Sequence, residues 1–175
     1  MEQDTVIIEL CQRGHPAGFT RLVAAYQERV YRTAYAFVHN REDALDITQE
    51  VFLRTVRAID SLDPARTLWP WLRRVTANLS INLIKRRHAH LSLDSLPDGA
   101  LPAGGSAEPS WTMLDLQAAL ADLPPIVRMV LTLRHQEGLP YDEIARLTNL
   151  PVGTVKTHLF RGRRLLRDRL AIQEA

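Results

Sequence analysis

Through the first ninety-one residues, hydrophobic positions recur at three- and four-residue steps, the spacing that gathers them on one face of an α-helix. Phe19, Leu22, Val23, Tyr26, Val30, Ala34, Phe37 and Val38 describe one long amphipathic helix. Ahead of it, Asp4 to Arg13 reads as a short helix ended by Gly14, a residue suited to the left-handed turn just past a helix end. Behind it, Asn40 is placed to cap a third helix, with Asp43 three positions on. The buried stripe of that helix is Ala44, Ile47, Val51, Phe52, Thr55 and Val56. Pro64 and Pro70 make the stretch from Asp60 to Pro70 a loop or broken turn. A fourth helix runs from Trp71 to about Arg87, with Leu72, Val75, Leu79 and Leu83 inward. Nowhere is there the period-two alternation of a strand, so the expectation is all-α.

From Ser92 to Ser110 the period lapses. The segment SLDSLPDGALPAGGSAEPS is dense in Pro, Gly, Ser and Ala and reads as a flexible linker. A structureless run of that length is uncommon inside one compact domain. Two small helical domains are therefore expected, 1–91 and 111–175, joined by a linker over 92–110. The second domain offers helices near 111–122, 125–136, 141–148 and 152–170, punctuated by Pro124-Pro125, Gly138/Pro140 and Asn149/Pro151.

Composition narrows the class. With 46% hydrophobic and 24% charged residues in 175, the chain can bury a core and remain soluble. No run approaches the ~18–20 apolar residues of a membrane span. The opening Met1-Glu2-Gln3-Asp4 lacks the basic and apolar regions of a secretion signal. The one cysteine, Cys11, excludes an internal disulfide, and on the apolar side of a short helix it reads as packing. A cytoplasmic protein is expected.

The net charge of +2 argues against a nucleic-acid partner until it is resolved along the chain. Between Arg73 and Arg87 there are five basic residues and no acid, and between Lys156 and Arg169 six with one acid, Asp168. The linker holds only acids, Asp94, Asp98 and Glu108. Two separated basic stripes suit two contacts with a polyanion. On charge alone, solvated helix faces explain them equally well.

The sequence from Tyr141 to Leu159, YDEIARLTNLPVGTVKTHL, decides between these. Ala145 is small where two helices must cross closely. Asn149, four residues on, tolerates the left-handed turn conformation. Pro151 suits a helix start. Val152, Val155 and Leu159 then face the first helix, leaving Lys156, Thr157, His158, Phe160 and Arg161 outward. This is the pattern of a helix-turn-helix without a wing, whose second helix lies in the major groove. Lys156 and Arg161 can meet phosphate or guanine, Thr157 and His158 can reach base edges, and Phe160 can meet a thymine methyl. Arg163, Arg164 and Arg167 lie further along and suit phosphates.

The stretch from Gly138 to Arg163 resembles conserved region 4 of the extracytoplasmic-function (ECF) RNA polymerase sigma factors, and 122–125 and 131–138 resemble that region's opening helices. The first half resembles region 2 through Phe19, Leu22 and Tyr26, through EDA at 42–44 with DITQEVF at 46–52, and through Trp71-Leu72, Asn78 and Arg86-Arg87. The resemblance implies a non-catalytic specificity subunit that binds core RNA polymerase and directs it to promoter DNA. In that role Asp46, Gln49 and Glu50 would dock on the polymerase clamp. Arg74, Asn78, Asn82, Arg86 and Arg87 would engage the −10 element as single strand, and the Asp60–Trp69 loop would shape a pocket for a flipped base. Lys156, Thr157, His158, Phe160, Arg161 and Arg164 would read duplex −35 DNA. An anti-sigma factor is implied as a further partner, and the linker would thread toward the polymerase cleft. His158, Thr157 and Gly162 depart from the family's usual Arg, Ser and Ala, which bears on the −35 sequence read.

Trp71, opening an amphipathic helix, reads as core; Trp69 is open between core and base stacking. His88 and His90, two apart, do not share a helix face and do not suggest a metal site. No phosphate loop, Ser/His/Asp set or carboxylate pair marks an active site, so no enzyme activity, cofactor or small-molecule substrate is expected. Two rivals remain: a helix-turn-helix regulator acting without polymerase, and a helical adaptor that binds no DNA.

Overall fold

The computed structural model describes residues 2–88 and 112–172, and these hold eight α-helices, one short 3₁₀ turn and no strand. In order they are α1 (Glu2–Gln12), α2 (Pro16–Val38), α3 (Arg41–Ala58), the turn Ile59–Ser61, α4 (Trp69–His88), α5 (Met113–Ala121), α6 (Pro125–His135), α7 (Tyr141–Thr148) and α8 (Val152–Ile172). The expected linker over 92–110 and His90 lie outside the described residues, as does the side chain of His88. No helix among the described residues is long and apolar enough to cross a membrane.

Local chemistry sets the boundaries. Gly14 and Gly138 take positive φ after α1 and α6. Asn40 caps α3 by accepting from the Asp43 backbone N–H at 3.0 Å. Thr112 and Asp115 form a reciprocal capping box at the head of α5. The fourth helix starts two residues before the expected Trp71, because Pro70 falls in its first turn, where a missing N–H breaks no helical bond.

Two apolar clusters hold the molecule. The first joins α1, α2, α3 and the near side of α4 through Ile7, Ile8, Leu22, Val30, Ala44, Val51, Leu68 and Leu72, with Val75, Leu79 and Leu83 packed against it. The second is built mainly from α6, α7 and α8 but also takes in Phe37 of α2 and Ala77, Ile81 and Ile84 of α4. Thus α4 is buried on two sides, and the second half of the chain packs against the first. Arg128 of α6 stitches this contact. Its buried guanidinium donates to the carbonyls of Phe37 and Val38 at the end of α2, and to those of Leu120, Ala121 and Leu123 beside it. Helix-end carbonyls have no intrahelical partner, so a cation there fills a real need.

Two glycines allow close crossings. A Cβ on Gly18 would meet the Cys11 backbone nitrogen at 2.6 Å where α2 crosses α1. On Gly162 it would meet Leu131 Cδ1 at 2.5 Å and Val127 Cγ1 at 2.8 Å where α8 crosses α6.

Candidate nucleic-acid interface

The helix-turn-helix is α7 and α8. Asn149 closes α7 in the left-handed region at φ 55°, and its N–H returns to the Ala145 carbonyl. Val155 and Leu159 are buried beneath α8, as the spacing predicts. On the opposite face Lys156, Thr157, Phe160, Arg163 and Arg167 are exposed. Phe160 is 59% exposed, an aromatic ring held in water at the middle of a basic face. Such a ring is unfavourable where it stands and gains wherever it is covered.

His158 differs from the outward reading. It is half-buried, with Nδ1 enclosed and without a hydrogen-bond partner. Burial, and then the charge of Arg161, hold it below the ordinary histidine pKa. It lies at the edge of that exposed basic face. Arg161 and Arg164 are half-buried beside it.

On α4, Arg74, Asn78, Asn82, Lys85 and Arg86 form one exposed row at helical spacing. Arg87 is turned away from that row. It makes a two-pronged ion pair with Asp43 at 2.5 and 2.7 Å, tying the end of α4 to the start of α3. Trp69 is buried: Tyr26 stacks alongside it, Arg29 lies 3.8 Å over its ring, and its Nε1 donates to Glu137 at 3.3 Å. Those contacts make it core. Trp71 is half-buried against the first cluster.

The loop ahead of α4 is pinned by α1. Leu68 N–H donates to Asp4, Thr5 Oγ1 donates to the Pro64 carbonyl, and Gln12 Nε2 donates to the carbonyls of Ile59 and Leu62. Between this loop, Trp71, Arg73 and Arg74 opens a cavity of about 640 Å³. The helix α1, whose sequence marks only a short amphipathic helix, thereby holds the shape of the candidate base pocket.

On α3, Asp46 and Gln49 are exposed, while Glu50 is half-buried and accepts from Arg54 Nε at 2.8 Å. That hydrogen bond holds the Glu50 carboxyl below its usual pKa. Alongside them stand Leu45, Leu53 and Val56, 41%, 51% and 44% exposed. Val56 is thus not in the buried stripe where its spacing put it. Three apolar side chains at i, i+8 and i+11 among polar ones make α3 an amphipathic face with no partner among the described residues. The signal was present in the leucines, which lie off the stripe of Ala44, Ile47, Val51 and Thr55.

Comparison with known proteins agrees with this arrangement. Residues 22–90 match the family model of Sigma-70 region 2, and residues 113–166 match that of Sigma-70, region 4. The chain is 34% identical to the ECF RNA polymerase sigma factor SigW of Bacillus subtilis, over 93% of this chain and 94% of that one. It is 31% identical to the ECF RNA polymerase sigma-E factor of Escherichia coli K12, over 95% and 94%. With the SigE factor of Mycolicibacterium smegmatis it shares 38% identity over 86% of this chain, and spans 60% of that longer protein. Among solved structures, a sigma factor RpoE in complex with the anti-sigma factor NepR from Bartonella quintana superposes with a TM-score of 0.62 at 22% identity, covering 88% of this chain and 97% of that one. CnrH in complex with the cytosolic domain of CnrY does so at 0.59 and 21% identity, covering 97% and 98%. At those identities the likeness is one of fold. The two family models in this order, with relatives matched along almost their full length, show that the chain belongs to the extracytoplasmic-function RNA polymerase sigma factors.

Proposed function

We propose that this sigma factor recruits core RNA polymerase through α3 and aims it at promoters with two reading helices, α8 on duplex −35 DNA and α4 on the single-stranded −10 element. One observation carries the proposal. A single chain presents an exposed row at Arg74, Asn78, Asn82 and Arg86 and an exposed basic face at Lys156, Thr157, Phe160 and Arg163. A repressor or activator has no need of the first. The functional units are 1–91 and 111–175, with 92–110 as the tether between them.

Each helix works by binding. On α8, the arginines beyond Arg161 meet phosphates and set register, while Lys156, Thr157 and Phe160 read base edges, with His158 and Arg161 at the margin. On α4, Arg74 and Arg86 hold the backbone of the separated strand, and Asn78 and Asn82 read its bases. A base extruded from the duplex costs a few kcal/mol, offset by the cavity before α4 and by these phosphate contacts. Arg87 holds α4 against α3 through Asp43 and, with its side chain 58% exposed, remains open to the DNA backbone. The α3 face of Asp46, Gln49 and Glu50, with Leu45, Leu53 and Val56, meets a helical surface of the polymerase. The protein works in the cytoplasm, where polymerase and promoter are, and an anti-sigma factor is its expected antagonist.

The test separates reading from docking. Lys156→Ala should weaken promoter-dependent transcription while the complex with core polymerase still forms on gel filtration. Undiminished transcription would contradict the assignment of α8 as the reading helix.

A further inference from the structure

We infer that Arg73 is a further contact for the phosphate backbone of single-stranded DNA, masked in the free protein by the chain's own Glu137 and Glu143. This rests on α4 being the −10 helix, as proposed above.

Arg73 stands on the first turn of α4, next to Arg74, and lines the 640 Å³ cavity. Its side chain is only 13% exposed, because the second half of the chain covers it. Nη2 donates to Glu143 Oε1 of α7 at 3.1 Å, and Nη1 lies 3.7 Å from Glu137 Oε2 in the turn after α6. Nε is buried without a hydrogen-bond partner. A guanidinium accepts carboxylate and phosphate through the same planar fork. Two carboxylates that leave one of its donors unmet fit it incompletely, and an unmet buried donor is a cost that a better anion removes.

The covering carboxylates also shape the cavity. Glu143 and Leu147 of α7 form one wall of it, facing Ser61, Leu62 and Thr67 of the loop. Its volume lies within the ~300–1,000 Å³ of small-ligand sites. In the closed packing, a phosphate approaching Arg73 meets negative charge instead. The cover is held down at other points: Glu137 accepts from Trp69 Nε1 and from Thr33 Oγ1 at 3.4 Å, and Arg128 binds the end of α2. Because these groups belong to one chain, they compete with DNA at a high effective concentration. Separating the halves frees Arg73 and opens that wall.

Binding of a short fluorescein-labelled single-stranded oligonucleotide to the full chain, read by anisotropy, tests the inference. The double variant Glu137→Gln/Glu143→Gln is expected to bind about tenfold more tightly, the factor gained when a competent state populated at roughly one part in ten becomes dominant. Adding Arg73→Ala to that variant should remove the gain. Glu9→Gln/Glu28→Gln, which changes net charge equally on exposed residues elsewhere, should not reproduce it. No tightening in the first variant, equal tightening in the charge-matched control, or a gain that survives Arg73→Ala would each overturn the inference. Promoter-specific transcription by the wild-type chain with core polymerase, compared with Arg74→Ala/Asn78→Ala, distinguishes the two readings: if α4 serves −10 recognition, that pair lowers transcription whatever the fate of the mask.

Discussion

Nη2 of Arg73 lies 3.1 Å from Oε1 of Glu143, so the helix proposed to engage −10 DNA is tied directly to the first helix of the helix-turn-helix. Beneath that pair, Ala77, Ile81 and Ile84 of α4 share an apolar cluster with Val127, Leu131 and Leu159. In this packing the rows on α4 and α8 both remain exposed, while Arg73 between the halves is covered.

Arg128 adds two hydrogen bonds to that contact. Arg128→Ala leaves the Phe37 and Val38 carbonyls without their donor and is expected to cost about 2–3 kcal/mol, since hydrogen bonds from a charged group are worth ~1.5–3 kcal/mol each and are only partly replaced by water. Urea unfolding followed by circular dichroism measures it.

Gly162 and Gly153 lie on the same helix and should respond oppositely to alanine. At Gly162 a methyl group meets Leu131 and Val127 inside 3 Å, and overpacking of this kind costs ~1–3 kcal/mol. At Gly153 nothing lies within 4 Å, so alanine gains ~0.4–1 kcal/mol through reduced freedom of the unfolded chain. Thermal melts of Gly162→Ala and Gly153→Ala compare the two directly.

Much of this was legible beforehand, and the misses share one cause. The helices lie where the apolar spacing (α2, α3 and α4) and the turn residues Gly14, Pro124-Pro125, Gly138/Pro140 and Asn149/Pro151 (α1 and the second half) put them, and Asn149 and Asn40 do what their chemistry requires, a left-handed turn and a cap. Periodicity reports that a helix has an apolar face but not how many neighbours it has. Hence the spacing marks Val75, Leu79 and Leu83 as inward and gives no sign of Ala77, Ile81 and Ile84, which are buried against the second half. The same limit placed Val56 inside and left Leu45 and Leu53 unremarked. The packing role of Gly162 is invisible along the chain, because the side chains that need its missing Cβ stand on another helix, α6. The pairing of Arg87 with Asp43 is likewise invisible along the chain, since the two lie on different helices.

The α3 face gives a prediction in which stability and function part. Leu53 is half in water, so Leu53→Glu should change folding stability by no more than about 0.5 kcal/mol. At the centre of an interface the same change should cost ~2 kcal/mol or more, roughly thirtyfold in affinity for core polymerase. Equal melting temperature with weakened complex formation is the expected pair of results.

Stability should fall on mild acidification. His39, His135 and His158 are all held below the ordinary histidine value of 6.5, by burial first and then by Arg128, by Arg163 with Arg134, and by Arg161 respectively. In each case the unfolded chain binds a proton at a pH where the folded chain does not. Their contribution is therefore complete above about pH 6.5 and is lost as pH falls below it. The urea midpoint should decline from about pH 7 to about pH 5.5, and His158→Gln should make that decline shallower.

The central claim is that this chain directs core polymerase to promoters, and the most direct measurement is run-off transcription. Purified chain is added to core RNA polymerase on genomic templates, and transcripts are mapped. The account predicts discrete transcripts, absent with core polymerase alone, starting downstream of paired −35 and −10 elements. No specific transcript on any template, together with no complex between chain and core polymerase, would contradict it.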